Sequence, residues 1–336
     1  MVASGCMAQA VMAVASARRG AAARRPAARR WAWRTSARMA TDSAEREAPS
    51  DRALPSPAEP KTFTPDVSKV PSLAASAIMA VARMGGGALA HGYRVEVVKD
   101  DDSAVYGVRL PGGNRLQETS SLASFPKPAQ PLILYEFQGC PFCAKVREAV
   151  SNLGLDVTYR PCPQGGALWR PMAKELGGKA QFPYLVDPNN ALAGGMYESS
   201  DIVDYLYETY GPGKEAVPLG LKNPLTILSL GLGLAPRAGA GSKAKLERGN
   251  PRVSEDMKPL EVWLYEASPF CRIVKEELCA REVPHTQISV PRGYQEKRQE
   301  LYDAKGHFQA PFLRDPNNGF ETFESTAILK YLQDFY

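Results

Sequence analysis

Shifted by 128 residues, the C-terminal part of this 336-residue chain falls on the stretch before it. Pro141-Phe142-Cys143 meets Pro269-Phe270-Cys271, Thr158 meets Thr286, Arg170 meets Arg298, and Gly178 meets Gly306. Gln181 and Pro183 meet Gln309 and Pro311, and Asp187-Pro188-Asn189-Asn190 meets Asp315-Pro316-Asn317-Asn318. Two residues are then lost, and Glu198-Ser199 corresponds to Glu324-Ser325. One offset kept over so long a run means two copies of one domain, at residues 130–211 and 258–336.

Each copy reads as an α/β unit. Leu132 to Phe137 is a short apolar run of strand formers stopped by Gly139. Pro141 sits where the first turn of a helix accepts proline, and Cys143, Val146, Val150 and Leu153 recur at helical spacing up to the stop at Gly154. A strand over 157–160, a helix over 167–176, a strand over 184–186, a brief strand at Met196-Tyr197 and a helix over 200–210 complete the order βαβαββα.

The cysteines select the chemistry. Cys140 and Cys143 form C-x-x-C between a predicted strand and a predicted helix. There Cys140 lies at the helix N-terminus, where unpaired amide protons and the dipole favour a thiolate, and Cys143 faces inward, one turn on. A structural zinc site needs a second ligand pair. The remaining cysteines are single, only His91, His285 and His307 are histidines, and no metal is expected.

Cys140-Pro141-Phe142-Cys143, then Gln181-Phe182-Pro183, then Glu198-Ser199 together resemble the glutaredoxins. They are at least as similar to the N-terminal thioredoxin-fold domain of glutathione transferases. From about residue 70 the chain looks like plant and algal plastid proteins that carry two such domains in tandem. The resemblance implies two tandem thioredoxin folds preceded by a small α+β segment, with glutathione as co-substrate. It implies Cys140 and Cys143 as the catalytic thiols, with Phe142, Gln181, Phe182, a cis Pro183, Glu198 and Ser199 around the tripeptide. In the second copy Ser268 stands where Cys140 stands in the first. A serine forms no disulfide, so Ser268, Cys271, Gln309, Pro311, Glu324 and Ser325 imply either a degenerate structural copy or a site that binds glutathione without exchange.

Charge separates the N-terminus from the rest. Residues 1–41 hold eight Arg, fourteen Ala and no acid, and the remaining chain has 33 basic against 36 acidic residues. Such a segment reads as an organelle transit peptide, plastid or mitochondrial, with a basic arm for nucleic acid or anionic lipid as the other reading. The slightly acidic body gives no reason to expect a nucleic-acid partner. Residues 42–66 are polar and Pro-rich, hence a disordered linker. Residues 67–129 suggest a small helix over 73–84 and a hairpin of 93–98 with 105–110. Residues 212–257 read as a linker with an apolar stretch, 224–236. That stretch is too short to span a bilayer and suits either peripheral membrane contact or packing on a neighbouring domain.

The expected function is a glutathione-linked thiol–disulfide oxidoreductase, acting on glutathionylated or disulfide-bearing proteins. The alternatives are a conjugating glutathione transferase and a non-catalytic scaffold that binds glutathione or a partner. Conjugation comes second because 212–257 is short, rich in Gly and Pro, and the sequence stops at Tyr336 after the second copy, which leaves little for an all-helical domain.

Overall fold

Two proline-led helix starts organise the molecule. A computed structural model describes residues 54–58 and 70–336, apart from 84–85, 102–104, 191–193, 224, 238 and 247–248. The segment read as a transit peptide and most of the linker after it lie outside the described residues. Before the first copy come α1 (Val70–Ala82), β1 (Arg94–Lys99), β2 (Val108–Leu110) and β3 (Asn114–Thr119). The first copy runs β4 (Leu132–Glu136), α2 (Pro141–Asn152), β5 (Val157–Pro161), α3 (Trp169–Gly177), β6 (Tyr184–Val186) and α4 (Ser199–Tyr210). Then come α5 (Leu219–Lys222) and α6 (Thr226–Leu234). The second copy runs β7 (Leu260–Leu264), α7 (Pro269–Ala280), β8 (His285–Ser289), α8 (Gln295–Lys305), β9 (Phe312–Arg314), β10 (Glu321–Phe323) and α9 (Ser325–Phe335).

The local chemistry explains the two helix starts. Cys140 and Ser268 are extended N-caps whose Sγ and Oγ accept the amide of the residue three positions on, and each is followed by proline. Val146, Val150 and Leu153 then fall on the fully buried face of α2 against Leu132, Leu134 and Leu206. At the far ends of α3 and α8, Gly178 and Gly306 close the helix with φ of 79° and 76°, a conformation that costs glycine nothing.

The two copies share one sheet. Its order is β10-β9-β7-β8-β5-β4-β6. Within a copy, β4 runs parallel to β5 and antiparallel to β6, and β7 stands in the same relation to β8 and β9. The copies meet where β5 pairs antiparallel with β8, with Thr158 opposite Thr286. Those two threonines are repeat equivalents and their hydroxyls lie 2.9 Å apart, so an approximate twofold axis passes between them. The sequence reading treats the copies as separate domains. In the structure each supplies the other's missing edge, which removes two exposed strand edges at once.

Three local expectations change. β1 pairs with β3, and β2 pairs with β3 as well, so the expected hairpin of 93–98 with 105–110 is not formed: a third strand separates the two. Met196 makes only an isolated bridge to Leu185, while its counterpart region in the second copy is the true strand β10. The apolar stretch read as linker is largely helical. α6 packs on α1 and α2 through Thr226, Leu230 and Gly233, and turns Leu225, Leu228 and Leu232 outward. Among the described residues no helix is long and apolar enough to cross a membrane.

The repeated Asp-Pro-Asn-Asn is more than a turn. Asp187, fully buried, accepts the hydroxyls of Tyr205 at 2.7 Å and Tyr210 at 2.5 Å, and the Asn189 amide at 2.8 Å. Asp315 does the same for Tyr331, Tyr336 and Asn317. Burial alone would raise the Asp187 pKa, but the hydrogen bonds from Tyr210, Tyr205 and Asn190 outweigh it and bring the carboxyl down to about 2. Asp187→Asn should therefore lower stability by about 2 kcal/mol in equilibrium denaturation. Because the folded pKa is depressed, the carboxylate's contribution is complete above the unfolded value of ~3.9 and is lost as pH falls toward 2.

Candidate active site

The first copy places its two cysteines at the open end of α2. Cys140 Sγ accepts the Cys143 amide at 3.3 Å, and neither sulfur is in a disulfide. The Cys143 thiol donates toward Cys140, and this is the main reason the Cys140 thiol is held below the ordinary range. Burial opposes that effect, while the Cys143 amide and the Arg147 guanidinium reinforce it. Cys143 is pushed well above the ordinary range, by burial first and by its bond to Cys140 second. One sulfur is thus disposed to be the thiolate and the other to hold its proton. Phe142, between them, is 48% exposed and flanks the entrance.

The other expected residues lie in the loop before β6 and at the start of α4. The Phe182–Pro183 bond is cis, and Phe182 lies beyond the last ladder pair, Tyr135–Tyr184. An extended peptide could therefore continue the sheet edge there. Gln181 Nε2 donates to Glu198 Oε1 at 2.7 Å, which joins the loop before β6 to the start of α4. Glu198 has φ of 67°, a conformation uncommon for a residue with a side chain, and Ser199 is buried as the first residue of α4. Among the described residues only Glu198, Glu282 and Glu324 share that feature, and two of them are the repeat-equivalent site positions.

Several residues of the site carry no motif. Arg170, at the start of α3, lies over the Phe182 ring at 4.8 Å and over Phe137 at 5.9 Å. Its helix is capped from the other copy: Glu282 accepts the Ala167 and Leu168 amides, both at 3.0 Å. Gly139, just before Cys140, lies against the segment between the copies, and a Cβ there would fall 1.7 Å from Ser242 Oγ. Behind the cysteines, buried Arg147 pairs with Glu136 and with Glu266 at 3.1 Å, and Glu266 also pairs with Lys275. Arg147 and Lys275 are repeat equivalents, recognisable in sequence as matched cations, yet nothing in sequence says that one carboxylate serves both.

The second copy keeps the frame and loses the sulfur. Ser268 Oγ accepts the Cys271 amide at 3.2 Å, and burial raises the Cys271 pKa. Ala310–Pro311 is cis, and Gln309 Nε2 donates to Glu324 Oε1 at 2.9 Å. Glu324 has φ of 65° and Ser325 is buried. Cys162 is buried, donates to the Arg160 carbonyl at 3.3 Å and is pushed well above the thiol range by burial. Cys279 donates to the Gly241 carbonyl and belongs to the core. Among the described residues no group of three His, Cys, Asp or Glu could hold a metal ion.

Fold and site define a tandem of two thioredoxin folds, one with a cysteine pair at its helix start and one with serine and cysteine. Residues 134–215 and 264–336, one segment in each copy, match the family model described as glutathione S-transferase, N-terminal domain. No curated protein matches the chain. Among solved structures it is similar to Leishmania TDR1, described as a unique trimeric glutathione transferase, at 15% identity. That likeness covers 61% of this chain and 67% of the other with a TM-score of 0.21, too weak to bear on the argument.

Proposed function

We propose that the protein is a glutathione-linked thiol–disulfide oxidoreductase that works at Cys140. One observation carries the reading: of the five cysteines described, only Cys140 has its thiol lowered, and the other four are raised. The Cys140 thiolate attacks the glutathione sulfur of a mixed disulfide, the substrate thiolate leaves, and Cys140 becomes joined to glutathione. Either Cys143 or a second glutathione then attacks. The first route gives the Cys140–Cys143 disulfide and free glutathione, and the second gives glutathione disulfide and free Cys140. Glu198, Ser199, Gln181 and the Phe182 backbone hold the tripeptide. The arginine-rich composition of 1–41 supports delivery to an organelle, with the plastid favoured by the tandem resemblance.

A second reading, conjugation of glutathione to electrophiles, has the family match in its favour. Two assays on the same preparation separate them: glutathione-dependent reduction of a glutathionylated peptide, and conjugation of glutathione to an aryl halide. Turnover in the first with only background in the second is expected. The reverse pattern would establish the transferase instead, and activity in neither would leave a binding scaffold.

A further inference from the structure

We infer that the second copy's cleft is closed by its own chain: Tyr106, from the connection between β1 and β2, occupies the place of a ligand there. This rests on the glutathione reading of the two clefts given above. Arg298 is the repeat equivalent of Arg170, almost fully buried, and lies over Phe308 at 4.8 Å and Tyr265 at 5.8 Å. Phe308 immediately precedes Gln309 and the cis-proline bond, and Tyr265 interacts with Ser268. The guanidinium therefore lies between the helix start and the cis-proline loop, inside the cleft.

Tyr106 is fixed there at three points. Arg298 Nη1 donates to its hydroxyl at 2.8 Å, its amide donates to Gln299 Oε1 at 2.7 Å, and its carbonyl accepts Gln295 Nε2 at 2.6 Å. Its ring rests on Phe308 at 4.8 Å. Main-chain donor and acceptor, an aromatic face and an arginine contact are the features by which a cleft holds a short peptide. The sheet that carries Tyr106 is anchored beside it, since buried Glu118 accepts Tyr93 at 2.8 Å and Arg292 at 2.7 Å. Arg170 in the first copy differs. It donates to the carbonyls of Cys162 and Pro163 just as Arg298 donates to those of Val290 and Pro291, but no described side chain does for it what Tyr106 does for Arg298.

Without Tyr106, the Arg298 Nη1 that donates to it would face the cleft, with buried Glu118 at 3.8 Å as its longer-range partner, as a cation suited to the carboxylates of glutathione. Titration of reduced glutathione into the full chain by calorimetry tests this, with circular dichroism to confirm folding. The parent should bind one glutathione per chain, and Tyr106→Ala should bind two. Gln295→Ala with Gln299→Ala releases the same segment without touching the tyrosine, and should also bind two, which keeps the test alive if Tyr106→Ala misfolds. Adding Arg298→Gln to the Tyr106→Ala chain should return the count to one. Equal counts in the parent and every folded variant overturn the proposal, as does a gained site that survives Arg298→Gln. A parent that binds none while the variants bind one supports the closure by Tyr106 and overturns the reading of the first cleft instead.

Discussion

Cys140→Ser should reduce the rate of glutathione-linked disulfide exchange by about a thousandfold or more, to background, because an alcohol cannot form the mixed disulfide. The fold should survive, since serine already caps the equivalent helix at Ser268 and accepts the same amide. The effect of position 143 is more selective. Its thiol is the main donor that lowers Cys140. Cys143→Ser keeps a donor and should leave Cys140 reactive through the route that uses a second glutathione. Cys143→Ala removes the donor, so the Cys140 pKa should rise toward the free-thiol ~8.5 and the thiolate fraction at pH 7 should fall. Alkylation rate against pH, followed by mass spectrometry of the residue-140 peptide, measures that shift directly. A Cys140→Ser chain that reduces a glutathionylated peptide at the parent rate would end the oxidoreductase reading.

The largest loss of stability is expected from Arg147→Met. Arg147 lies between two buried carboxylates, Glu136 of its own copy and Glu266 of the other, and also donates to the Gln138 carbonyl at 3.4 Å. Removing it leaves both carboxylates to share Lys275 in a site closed to water. Breaking a buried pair in this way costs about 3–5 kcal/mol, because an uncompensated charge remains. Against the burial that would raise it, Arg147 first and Lys275 second hold the Glu266 carboxyl below its ordinary range, so the loss should be felt by both copies together. Denaturant unfolding should stay a single transition at a lower midpoint. Replacing all four charged residues with apolar ones of similar size should cost far less than Arg147→Met, since no charge is then left unpaired. If the single and the fourfold variants are equally unstable, packing rather than charge holds this region.

The repeat, the order of elements and the two helix starts were legible because they depend on neighbours within a few residues. A cap at Cys140 or Ser268 is satisfied by the amide three positions on, and a proline at the first helical position lacks only an amide that had no partner anyway. The glutamate before each last helix was legible as part of a motif. Its left-handed backbone was not, since nothing local to Glu198 or Glu324 demands it.

By itself, then, the sequence determined which atom stands at each helix start: sulfur at 140, which can enter a disulfide, and oxygen at 268, which cannot. Tertiary structure alone decided how the copies influence one another. Residues 119 apart share a buried charge at Arg147 and Glu266, and residues 192 apart bring Tyr106 onto Arg298. Such partners are chosen by which strand edges and helix faces meet. That choice minimises exposed sheet edge and unpaired buried charge over the whole chain, and no short window of residues contains it.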